Sequence, residues 1–179
     1  MEKHKATIKR CLNEVGIAMM EWKVLKGMEN SKGWTSVGGF FHIANIAIYN
    51  DMMARMIKVL DDDARSSTFM SIKKSEEKFI SANASSGDIE LIESMKTKIK
   101  TIRTKTHFHI DKHYVSNPQE VWSDADIKTD EFFQVIELVF NILNKLHYFY
   151  FKTDFPFSSY DGKDATWIIN LVNKEEGWE

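Results

Sequence analysis

The amino-acid sequence predicts an all-α protein, an up-and-down helical bundle of about five to six helices. Two observations carry that expectation. Apolar residues recur at alternating steps of three and four through most of the 179-residue chain, the period of one helix face. No alternating run bounded by turn signals appears, so strands have no support. A chain of this length buries one good core, and a single domain over 1–179 is expected.

The first helix carries Ile8, Leu12, Val15, Met19, Trp22, Leu25 and Met28 on one face and should stop near Asn30 and Gly33. A second begins after "SVGG" and runs to the acidic turn "DDDARSS". Apolar residues cover more than half its circumference, which predicts a place in the middle of the bundle, with His42 and the methionines as packing groups. "TFMSIKKSEEKFI" reads as one polar helix and "SANASSGD" as the loop after it, with Ser85 and Asp88 spaced as a capping box. Ile92, Met95, Ile99 and Ile102 then form a helical seam. "NPQEVW" signals a short helix, with Asn117 as N-cap, Pro118 in the first turn and Glu120 as reciprocal partner.

From Thr129 the longest apolar helix carries two stripes. Phe132, Ile136, Val139, Leu143, Leu146 and Tyr150 make one; Val135, Leu138, Ile142 and Phe149 make the other. Two stripes need two partners, either the bundle twice or the bundle and another subunit. A last helix after Asp161 carries Trp167, Ile168, Leu171 and Val172 and ends at Gly177.

The formal charge of −2 excludes a protein that coats nucleic acid by bulk electrostatics, so any such contact is local. The single cysteine, Cys11, excludes an internal disulfide and reads as a small core residue in a reducing compartment. "MEKHKATIKR" has no apolar run behind it, so no signal peptide is expected. Gln134, Glu137, Asn141, Asn144, Lys145 and His147 interrupt the most apolar stretch, so no membrane span is expected either. The expected location is cytoplasmic.

The chemistry-bearing stretch is "RTKTHFHIDKHYV", Arg103 to Val115. "HFHIDKH" is one residue, Lys112, away from the His-x-His-x-Asp-His signature of dinuclear zinc hydrolases, which belongs to a loop after a strand. His107, His109, Asp111 and His113 are all competent ligands, and on a continuous helix His109 and His113 would share a face and could chelate one ion. A second reading is a solvated helix end, where Lys105 and Lys112 sit at the negative pole of the dipole. That reading accounts less well for Arg103 and His109, at the margin of the apolar seam.

"RTKTHFHIDK" also resembles the motif of the HEPN superfamily (higher eukaryotes and prokaryotes nucleotide-binding), in which an Arg is followed after four to six residues by a His. Five residues separate Arg103 from His109. The following "HIDK" resembles the AbiU-type branch, linked to abortive infection against phage, and the helical layout is similar from end to end. Two departures stand out. Thr104 replaces the Asn, Asp or His often found there in active members, and Ile110 and Asp111 replace a His-x-Tyr extension.

The resemblance implies a HEPN-like bundle acting as a metal-independent endoribonuclease in an antiphage or toxin–antitoxin system, with no cofactor. Arg103 and His109 would be catalytic: the guanidinium stays charged and suits a phosphate gaining negative charge, and an imidazole titrates in the useful range. Residues six apart on a regular helix diverge by roughly 120°, so their convergence predicts a distorted or ended helix at the motif. His107, four after Arg103, is the rival histidine. Thr104, His107 and Asp111 are candidate accessories, and Lys105, Lys112 and Tyr114 candidate RNA contacts. Lys96, Lys98 and Lys100 extend a basic mouth, against the alternative of a solvated helix face. Trp34 and Trp122 could stack on bases or simply pack. The expected partners are RNA, a second copy in a homodimer whose interface could take the stripe around Val135, Leu138 and Ile142, and an antitoxin protein; no DNA or membrane partner is expected. The alternative is a catalytically inert HEPN module that binds a nucleotide, RNA or a protein, which Thr104 and the near-neutral charge favour.

Overall fold

The computed structural model describes residues 2–29, 31, 38–63, 65–107, 119–157 and 160–175. Every regular element among them is helical: eight α-helices and one π-helical turn. The all-α class stands, and the expected count of five to six helices is corrected to eight.

Part of the excess comes from one polar segment. "TFMSIKKSEEKFI" forms two helices, Phe69–Ser75 (here α3) and Glu77–Asn83 (α4), which meet at Glu76. Glu76 leaves the helical region, with φ −116° and ψ 28°. Its carboxylate lies 2.7 Å from His4 Nε2 and accepts a hydrogen bond from the Tyr150 hydroxyl, so two distant helices hold the break open. Thr68 starts α3 through a capping box with Ser71. Because α4 runs to Asn83 and the next helix starts at Ser86, the loop expected over 81–88 shrinks to Ala84 and Ser85. The box between Ser85 and Asp88 is present, with reciprocal bonds of 3.1 and 2.9 Å.

The long helices build the core. On α1 (Glu2–Glu29), Ile8, Leu12, Val15, Leu25 and Met28 are buried, together with the free Cys11, while Met19 and Trp22 pack partly buried against them. On α5 (Ser86–Ile102), Ile92, Met95, Ile99 and Ile102 are all buried, as their spacing requires. The short α6 (Gln119–Ala125) buries Val121 and Ala125; the caps expected at Asn117 and Pro118 lie outside the described residues.

Both stripes of α7 (Thr129–Phe151) face the chain's own core. Val135 and Ile142 are as buried as Ile136 and Leu143, because α7 packs on α1 along one side and on α5 along another. The interface suggested for Val135, Leu138 and Ile142 is therefore overturned: the bundle is both partners. Of that stripe only Phe149 is exposed.

The second helix, α2 (Gly38–Leu60), departs most from expectation. Met52, Met53 and Met56 are fully buried, but the first half stands outside the core, with Phe40 75% and Ile43 67% exposed and His42 exposed. His42 is thus not a packing group. The last helix, α8 (Lys163–Glu175), buries Ile169 and leaves Trp167, Ile168 and Leu171 exposed; its expected end at Gly177 lies outside the described residues. It docks on α1 through Gly162, whose φ of +78° and close approach to the Lys23 carbonyl leave no room for a Cβ. None of the described helices is long and apolar enough to cross a membrane.

Candidate nucleic-acid site around Arg103

The motif sits where a regular helix gives way. Arg103 continues α5 with φ −53° and ψ −48°, its N–H pointing to the carbonyls of Ile99 and Lys100, and Arg103–His107 form a π-helical turn. A π turn admits an extra residue and is frequent at functional sites. The local sequence favours it. Thr97, Thr101 and Thr104 each turn their hydroxyl back onto the preceding turn, to Glu93 O at 3.1 Å, Thr97 O at 3.4 Å and Lys100 O at 3.0 Å. Such back-bonds loosen and bend a helix. The distortion expected from the Arg103–His109 spacing is therefore present at its first residue.

A carboxylate holds the arginine. Nη1 of Arg103 lies 2.7 Å from Oδ1 of Asp61, with the arginine side chain 37% exposed and the aspartate 14%. Asp61 is itself built into the turn that follows α2, accepting from the Asp63 N–H at 3.3 Å. The next acid, Asp62, faces Lys100 at 3.6 Å and Lys96 at 3.8 Å. Asp63 pairs with Arg65, whose guanidinium, with a smaller contribution from Arg103, holds that carboxyl well below the usual carboxylate range. The turn of consecutive acids thus lies along the basic edge of α5, and the crevice left between them is only about 10 Å³.

The lysines flanking the motif divide into two groups. Lys96 and Lys100 lie on the Arg103 side. Lys98 points the other way, 3.1 Å from Glu131 of α7 and donating to the Asp126 carbonyl at 2.6 Å. The basic mouth expected from Lys96, Lys98 and Lys100 is therefore a stripe without Lys98. Thr104 is exposed with its hydroxyl on its own helix, and Lys105 is half-buried. His107 ends the π turn. His109, Asp111, Lys112, His113 and Tyr114 lie outside the described residues, as does Trp34, so the chemistry expected of them is neither placed nor displaced. Among the described residues, no group of three His, Cys, Asp or Glu is arranged to hold a metal ion.

Sequence reading passed over Asp61 as part of an acidic turn. Its pairing with Arg103 spans 42 residues, and the only signal available was an acid run closing the helix that packs on α5.

The described residues thus form an all-helical bundle in which one helix gives way to a π turn at Arg103. The family model for HEPN AbiU2, described as AbiU2, matches residues 1–166, and the chain belongs to that family. No curated protein and no solved structure matches it.

Proposed function

We propose that this protein is a metal-independent endoribonuclease of HEPN type, serving a bacterial antiphage, abortive-infection or toxin–antitoxin system as a homodimer in the cytoplasm. The observation that carries the reading is Arg103, whose part-exposed guanidinium stands at a π turn with Lys96 and Lys100 beside it, in a chain of the HEPN AbiU2 family. In the proposed step, an imidazole, that of His109, takes the proton of a ribose 2′-hydroxyl. The 2′-oxygen then bonds to phosphorus while the bond from phosphorus to the 5′-oxygen breaks, and a protonated imidazole of the second copy returns a proton to the 5′-oxygen. Arg103 stabilises the charge gathering on the phosphate. His107 and Asp111 are proposed to assist the histidine and Thr104 to border it, with Lys105, Lys112 and Tyr114 contacting the strand.

The products of that step are a 2′,3′-cyclic phosphate and a 5′-hydroxyl. Analysis of product ends from a structured RNA tests it, beside the same RNA with a 2′-deoxy residue at the cleaved position. Cyclic phosphate ends that vanish with the deoxy residue support the reading; 5′-phosphate ends overturn it.

The second reading is an inert HEPN module that binds RNA, a nucleotide or a protein. It is favoured by the Thr104 hydroxyl, which is turned back onto the Lys100 carbonyl. Binding of RNA without any cleaved ends selects it.

A further inference from the structure

A groove of about 570 Å³ lies between α3, α4 and α5. Met70, Ile80 and Ile89 are its apolar lining, and Lys73, Lys74 and Lys96 share its walls with Asp62, Glu77 and Glu93. Asp62 and Lys96 also border the crevice beside Arg103, so the groove and that crevice share one edge. Along α5, Lys96, Lys100 and Arg103 follow at steps of four and three, which puts the three cations on one face. From Ile89 to Arg103 that face is about 21 Å long at the rise of a helix.

We infer that this groove carries the RNA strand that reaches Arg103, with phosphates on Lys100, Lys96 and Lys74 and unstacked bases against the apolar lining. The inference rests on the ribonucleolytic reading and names the path of its substrate. A single strand is recognised in this way, by cations that track the backbone and an apolar surface that takes the bases.

The carboxylates along the path set how the strand enters. Asp62 faces both Lys96 and Lys100, and Glu93 binds Lys96 at 2.6 Å and also Lys73. Burial pushes the Glu93 carboxyl up, but the two lysines outweigh it and the net shift is downward. The lysines are therefore held in place by acids before the strand arrives. RNA binds by exchange, its phosphates replacing Asp62 on Lys96 and Lys100. Removing a lysine and removing Asp62 must then act in opposite directions.

The test is fluorescence anisotropy with a labelled single-stranded 2′-O-methyl RNA, which lacks the attacking hydroxyl and survives the titration. Lys96→Ala and the exposed-site variant Lys74→Glu are expected to weaken binding several-fold, each lowering the salt slope by about 1. Asp62→Asn is expected to tighten binding several-fold, and Lys98→Ala, on the other side of α5, to leave it unchanged. Circular dichroism checks that each variant is folded. Wild-type binding indifferent to Lys74, Lys96 and Asp62 overturns the groove while leaving RNA as the ligand. No RNA binding by the wild type overturns the RNA reading itself, and the groove with it.

Discussion

Oδ1 of Asp61 lies 2.7 Å from Nη1 of Arg103, so the arginine expected to meet a phosphate already meets an anion. A charge-assisted bond of this kind is short and directional, and a phosphate oxygen is the group best able to replace a carboxylate in it. On the proposed function, ground-state binding of RNA therefore competes with Asp61. Asp61→Asn is predicted to bind uncleavable RNA several-fold more tightly than the wild type, most clearly at low salt. Weaker binding would show instead that Asp61 orients the guanidinium for the phosphate.

Glu21 gives the fold a pH dependence. Arg55 of α2 joins it to Glu14 and Asp51 through contacts of 3.3, 2.9 and 2.7 Å. Burial, and then the Asp51 carboxylate, push Glu21 from an ordinary 4.5 up to about 8. Between those values the folded chain holds a proton that the unfolded chain has released, so this group's contribution to stability falls as pH rises from about 4.5 to about 8. Glu21→Gln keeps a neutral side chain and should lose less melting temperature than the wild type between pH 5 and pH 8. Parallel losses in thermal unfolding would count against the assignment.

Ile142, 2% exposed, is a core residue and not part of an interface. Ile142→Ala should cost about 2–5 kcal/mol in denaturant unfolding through the cavity it leaves. Sedimentation of the folded variant should match that of the wild type. Dissociation at unchanged stability would return this stripe to the subunit interface.

Much of the fold was legible because it is local. The seam of Ile92, Met95, Ile99 and Ile102 is written at helical spacing, and the Ser85–Asp88 box is a contact three residues long. Glu76 was not legible, since its break depends on Tyr150, 74 residues away, and on His4. The exposure of Phe40 and Ile43 on α2 was illegible for another reason. An apolar circumference reports what a helix can bury, and the neighbours decide what it does bury. At the site, the spacing of Arg103 and His109 foretold a distorted helix, and the π turn at Arg103 supplies it. The approach of Asp61 is a tertiary contact that no local pattern encodes.

In the proposed function His109 carries RNA cleavage without a metal. Purified protein is incubated with a structured RNA in excess EDTA, beside His109→Ala and His107→Ala, with far-ultraviolet dichroism recorded for each. The expected result is cleavage by the wild type, its loss in His109→Ala at unchanged helicity, and cleavage retained in His107→Ala. Cleavage that survives in His109→Ala, or that the wild type shows only when a divalent metal is restored, would contradict it.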